Sequence, residues 1–258
     1  MHAGPRRLEL RADAVVLRSD RATLRGRFVA GRPTAGAVLL LHGVGASRRD
    51  LLGRARFLAA AGHSVLSVDF RGHGESSAAR CTWGARESGD VRAAIAFLRE
   101  AVPSERIGVI GISMGGAAAL LGPGPLPADA LVLESVYPTI SDAVNGRLTA
   151  WLGALGQVLT RPVLAWVFPR DGVTPDDLRP IDRIREQRTP LLVLAGGADR
   201  YTTVREAREL FARAPEPKEL WVLDGAAHVD LHAFAAAEYE RRVGGFLARH
   251  LRASAGGS

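Results

Sequence analysis

Cysteine occurs once, at Cys81, so no disulfide can close within the chain, and such a composition suits a reducing compartment. Lysine also occurs once, at Lys218, so the formal net charge of +7 comes almost entirely from arginine. The arginines are scattered among acidic residues, and no stretch interleaves basic and aromatic side chains. That pattern reads as a solvated arginine-rich surface, and no nucleic-acid partner is expected. No uninterrupted apolar run reaches the roughly 20 residues of a membrane span, so no stable membrane insertion is expected. Residues 1–10 are basic and lack an apolar core, so no signal peptide is expected and the location is read as cytoplasmic. Internal repeats are absent, and low complexity is confined to the tail at 253–258.

Against these absences stands a chain of 258 residues, 47% of them hydrophobic. That is long and apolar enough to bury one sizeable core, and one α/β domain over 1–258 is the expectation. Strand patterns fall at 8–16 and 23–29, then as apolar runs at 37–41, 64–70, 107–112, 130–133 and 190–195, and again at 219–223. Helical spacing falls between them: Ser47 to about Ala61, Glu87 to Ala101, Met114 to Leu121, Val204 to Ala214, and Leu231 to about Leu251. Strands alternating with helices predict a mostly parallel sheet covered on both faces, with the chemistry at the carboxyl ends of the strands. The segment 137–180 interrupts the alternation.

The informative stretch is Gly111-Ile112-Ser113-Met114-Gly115-Gly116. It fits a nucleophile elbow, in which a strand turns sharply into a helix with serine at the apex. A serine hydroxyl needs a base, and the base needs a partner that holds its orientation. Of the seven histidines, His228 lies five residues past the last strand, where a base could reach Ser113. His232, one turn into the next helix, is the alternative. His63, His2 and His250 read as surface residues, and His73 as a residue positioning its glycine loop. The orienting acid should leave a strand end between Ser113 and His228. Asp199 does so, with Glu134 as a geometric alternative; Asp224 and Asp230 read as loop-closing or capping residues. Two backbone N–H groups would hold an oxyanion, Met114 after the serine and Val44 in the loop shaped by His42-Gly43.

His42-Gly43, the run Asp69-Phe70-Arg71-Gly72-His73-Gly74-Glu75-Ser76, the serine motif, Asp199 and His228 together resemble the α/β-hydrolase superfamily over about residues 20–250. Leu133-Glu134-Ser135-Val136-Tyr137-Pro138 and the insert after it look like the prolyl-oligopeptidase-like and serine-aminopeptidase-like branch. The resemblance implies an eight-stranded α/β-hydrolase fold with a short helical cap at about 137–180. It implies a Ser-His-Asp hydrolase that needs no cofactor; a small ester or acyl substrate, a monomer or homodimer and no metal are the accompanying expectations. Thioester or amide hydrolysis by the same residues remains open, and so does a non-catalytic binding protein on this fold. A serine where dehalogenases and epoxide hydrolases carry aspartate disfavours those chemistries. The cap segment is strongly apolar, from Leu148 to Phe168. Trp151, Leu155 and Leu159 are expected to wall the substrate site, with packing on the domain, a dimer face or a membrane contact as the other readings. Arg161-Pro162 is expected to divide it into two helices.

Overall fold

The computed structural model of the protein describes residues 11–167 and 172–252. The expected loose start at 1–7, the first residues of the expected strand at 8–16, Phe168 of the cap and the tail at 253–258 lie outside the described residues.

Eight strands form one sheet: β1 (Asp13–Ser19), β2 (Ala22–Val29), β3 (Ala37–Leu41), β4 (Ser64–Val68), β5 (Ile107–Ile112), β6 (Ala130–Glu134), β7 (Leu191–Gly196) and β8 (Lys218–Leu223). Their order is β1-β2-β4-β3-β5-β6-β7-β8. β1 pairs antiparallel with β2, and β2 antiparallel with β4; every other pairing is parallel. Nine α-helices occur among the described residues: α1 (Leu52–Ala61), α2 (Glu87–Ala101), α3 (Met114–Leu121), α4 (Ile140–Leu152), α5 (Ala154–Val167), α6 (Pro180–Arg183), α7 (Val204–Arg213), α8 (Leu231–Phe234) and α9 (Ala236–Leu251).

The all-apolar strands are buried on both faces, as the absence of polar alternation implied. On β3, Ala37, Leu39 and Leu41 join the core under α2 and α3, while Val38 and Leu40 join the core under α1 and α9. Each strand thus serves two hydrophobic layers through its period of two.

β1 runs to Ser19, past the expected end at 16, because its ladder with β2 continues to the Ser19–Ala22 pair at the turn, where Asp20 has φ 51°; β4 ends at Val68, short of the expected 70. Three further boundaries differ from the sequence expectation, each for a local reason. Ser47 caps a 3₁₀ turn (Arg48–Leu51) that leads into α1, with Asp50 completing the reciprocal cap. The final helix breaks at Ala235, whose φ of −140° is not helical, into α8 and α9. The division in the insert falls at Gly153 (φ 59°), and Pro162 lies inside α5. Glycine at positive φ ends a helix without a side-chain clash, whereas α5 continues through its proline.

The turn between β5 and α3 is dictated by contact. A Cβ on Gly115 would lie 2.6 Å from the Leu41 carbonyl oxygen and 2.7 Å from that of His42, so α3 begins hard against the end of β3. A Cβ on Gly116 would meet Val136 Cγ2 at 2.3 Å and the Gly111 carbonyl oxygen at 2.9 Å. Gly116→Ala is therefore expected to cost about 1–3 kcal/mol of folding stability through overpacking, measured by urea denaturation. An unchanged midpoint would show that the elbow has slack.

Candidate active site

Four strand ends converge on one cavity of about 240 Å³. His42, Gly43 and Val44 follow β3, Ser113 follows β5, Ser135 follows β6, and His228 follows β8; Arg147 enters from α4. Asp199, beyond β7, stands behind His228.

Ser113 has φ 49° and ψ −114°, a backbone conformation that a residue with a side chain rarely adopts. Its N–H donates to the Glu134 carbonyl at 2.7 Å, which ties the apex to the neighbouring strand. The side chain stays at the cavity wall.

The loops after β7 and β8 are laced together. Gly197 N–H donates to Leu223 O at 2.7 Å, and Ala198 N–H to Ala226 O at 2.8 Å. Gly196 allows this approach, since a Cβ there would lie 2.5 Å from Ala226 O. The lacing sets Asp199 Oδ2 2.7 Å from His228 Nδ1. Asp199 Oδ1 accepts from the N–H groups of Tyr201 (2.8 Å) and Thr202 (2.9 Å). Beside a carboxylate acceptor Nδ1 carries the proton, and Nε2 is left as the basic nitrogen. Nε2 has no partner among the described residues. Tyr201 sets its ring edge-on to His228, with centroids 5.5 Å apart.

The alternatives are occupied elsewhere. Both Glu134 oxygens are taken in a buried network. Arg54 Nη2 reaches Oε2 at 2.7 Å, Arg54 Nε reaches Oε1 at 3.2 Å, and the Tyr239 hydroxyl donates to Oε1. His232 stacks on Phe57 and bonds Glu240 at 3.0 Å. Asp230 caps α8 and pairs with Arg54 at 2.7 Å, as its expected capping role required.

The loop holding Val44 is fixed by a buried histidine. His42 Nδ1 donates to Gly43 O at 2.7 Å, and Nε2 accepts from Phe70 N–H at 3.1 Å. This pairing needs the neutral ring, and burial lowers the His42 pKa to about 4. The Gly43 carbonyl is thereby held by the ring, and the Val44 N–H donates to no acceptor among the described residues. Met114 N–H, first in α3, has no intrahelical acceptor either. Asp69 braces the same loop: it accepts from the Arg48 N–H at 2.7 Å, the Glu75 N–H at 2.9 Å and the Arg48 guanidinium.

The insert departs from its expected role. Trp151 and Leu155 are 72% and 56% exposed, Leu159 is half-buried, and none of the three lines the cavity. The inward face of α5 is Gly156, Thr160 and Leu164, at spacings of four, and α4 packs so closely that a Cβ on Gly156 would lie 2.3 Å from Leu148 backbone. That face choice turns the larger side chains outward. Trp151 reaches the site only at second hand, through Nε1 donating to the Tyr201 hydroxyl at 3.2 Å. Arg147 and Ser135 line the cavity, as do Asp50, Leu51, Arg54 and Val229, and sequence reasoning assigned none of these to the site; for Arg147 an arginine beside an apolar segment was the available signal. His63, expected at the surface, is buried.

A larger cleft of about 630 Å³ lies elsewhere, between Arg86 and the 172–186 segment. Its charged walls pair with one another, as Arg179 with Asp182 and Arg183 with Glu186. It holds none of the strand-end residues.

A family model described as serine aminopeptidase, S33, matches residues 32–181, more than half of the chain. The chain belongs to the serine aminopeptidase S33 family. Its fold is that of the α/β-hydrolase superfamily: the esterase Pf2001 of Pyrococcus furiosus superposes with a TM-score of 0.78 at 28% identity, covering 97% of this chain and 96% of that one. Among curated relatives, the uncharacterized protein YqkD of Bacillus subtilis is 24% identical over 87% of this chain and 75% of its own length. An uncharacterized protein of Mycobacterium tuberculosis is 31% identical over 75% of this chain; the match spans 63% of that relative's length. Membership of this hydrolase family and the esterase likeness support a hydrolase activity. Among the described residues, no helix is long and apolar enough to cross a membrane.

The lowered His42 pKa makes folding stability depend on pH. A histidine at about 4 in the folded chain and near 6.5 when unfolded takes up its proton first in the unfolded state as pH falls. Its contribution is complete above pH 6.5 and is lost on acidification towards 4. The shift is worth on the order of 3 kcal/mol. Urea denaturation should therefore show wild-type stability falling between pH 6.5 and 4 more steeply than that of His42→Gln. Parallel profiles would contradict the neutral, buried assignment. Burial lowers the His63 pKa too, but His63 is present in both proteins and cancels.

Proposed function

We propose that the chain is a serine hydrolase that cleaves carboxylic esters with short acyl chains through an acyl-enzyme. The observation that carries this is the 2.7 Å bond from His228 Nδ1 to Asp199 Oδ2, in a histidine that shares a cavity wall with Ser113. Ser113 Oγ attacks the ester carbonyl as His228 Nε2 takes its proton. The oxyanion accepts from the N–H groups of Val44 and Met114, and the Asp199 carboxylate stabilises the imidazolium. His228 then gives the proton to the leaving alcohol. Water, deprotonated by the same nitrogen, releases the acid and restores Ser113.

One observation favours esters and another favours modest size. Pf2001, 28% identical over nearly the whole chain, is described as an esterase. The cavity, about 240 Å³, lies just below the roughly 300–1,000 Å³ usual for small-molecule sites. Thioesters and amides would use the same residues, and the family's description as a serine aminopeptidase keeps the amide reading in the test.

Matched ester, thioester and amide substrates with acyl chains from acetyl to palmitoyl separate these readings. Turnover is expected to be highest for esters of short acids. Ser113→Ala should lose roughly 10⁴–10⁶-fold in kcat, and Asp199→Asn about 10⁴-fold, because the histidine then sits in the wrong tautomer. Undiminished ester turnover in Ser113→Ala would refute the assignment, and the absence of turnover on all three substrate classes would favour a binding protein on this fold.

A further inference from the structure

We propose that Arg147 is a specificity-determining residue that selects esters bearing a carboxylate a few atoms from the scissile bond. The inference rests on the hydrolase reading of the same cavity and names its substrate class.

The charged groups of the cavity are, with one exception, already engaged through their polar atoms. Arg54 is spent on Glu134, Tyr239 and Asp230. Asp230 also accepts from the N–H groups of His232 and Ala233 at the start of α8. Asp50 turns back to its own loop, accepting from Ser47 N–H at 2.8 Å and Ser47 Oγ at 3.1 Å. Arg147 differs: among the described residues its guanidinium makes no hydrogen bond and no ion pair. A guanidinium carries five N–H donors in a planar fork matched to a carboxylate.

The group is nevertheless held in place. Its carbon lies 5.1 Å from the centroid of the Tyr201 ring, a stacking that occupies the face and leaves the N–H edge open. The helix beneath is pinned to the same loop, since a Cβ on Gly146 would lie 2.6 Å from Tyr201 O. Tyr201 in turn is fixed by its N–H bond to Asp199 and its edge contact with His228. The charge is therefore positioned relative to the base by one rigid loop.

A second observation is independent of the arginine. Ser135, at φ 48° just past β6, has a buried Oγ with no hydrogen-bond partner, and it lines the same cavity. A buried hydroxyl without a partner is costly, and a polar occupant relieves that cost. An unspent guanidinium and an unspent hydroxyl together describe a site for an anionic, hydrogen-bonding substrate, where a purely aliphatic ester would leave both unsatisfied.

Two pairs of esters test this. Mono-p-nitrophenyl glutarate against its methyl ester places the carboxylate in the acyl half; 4-butyryloxybenzoate against its methyl ester places it in the alcohol half. Wild type is expected to prefer the anionic member of at least one pair by roughly 10–100-fold in kcat/KM. In Arg147→Met that ratio should fall to near one, with the loss in KM, and Arg147→Lys should restore part of it. No preference in either pair, or a preference that survives in Arg147→Met, overturns the proposal. The neutral esters report on the hydrolase reading separately. If no ester of any kind is turned over, calorimetric titration with monomethyl glutarate decides: binding to wild type that is lost in Arg147→Met supports anion selection, and no binding to wild type refutes it.

Discussion

The site depends on one steric constraint: the first turn of α3 has no room for side chains where it meets β3 and β6. Gly115 lies against the Leu41 and His42 carbonyls and Gly116 against Val136, so the chain leaving β5 must reverse within a single residue. That residue is Ser113, held at φ 49°. Such a conformation costs on the order of 1–3 kcal/mol and persists only where the surroundings over-determine it. Here β5 is gripped between β3 and β6 in parallel register, and the large buried core absorbs the cost. The same closeness brings the β3 loop beside the serine, so one packing contact sets both the hydroxyl and the N–H groups around it.

Around that apex, polar groups hold loops where apolar burial cannot. His42 and Asp69 organise the backbone after β3 and β4, while the β7 and β8 loops are laced by their own main chains. Arg54 and Glu134 are each 1% exposed at the side chain and join α1, β6 and the loop bearing Asp230 into one unit. Arg71 and Asp90 do the same for the β4 loop and α2, with Nη2 to Oδ1 at 2.6 Å. Breaking a buried pair leaves an uncompensated charge, which is why these arginines anchor geometry even though a surface arginine contributes little.

Most of this was legible in the sequence where a residue type has few uses. Uninterrupted apolar runs announced two-faced strands, glycines around Ser113 announced a tight turn, and strand-end positions singled out Asp199 and His228. The helices α2 and α3 carry the boundaries that their spacing predicted. What escaped was decided by tertiary choice. Trp151 and Leu155 look like pocket residues in one dimension, yet the small face of α5 packs inward and turns them out. Arg147 stood out only as an arginine beside an apolar segment and Ser135 only as one member of a family-like run, because their roles come from which partners they lack. His63 sits in a turn, and only the fold buries it.

The most direct measurement is a crystal structure of the protein after reaction with a short-chain alkyl fluorophosphonate, whose tetrahedral phosphorus stands in for the attacked carbonyl. The account predicts a covalent bond from Ser113 Oγ to phosphorus, with the phosphonyl oxygen about 2.7–3.1 Å from the N–H groups of Val44 and Met114. A label on another side chain, or a phosphonyl oxygen turned away from both N–H groups, would contradict it.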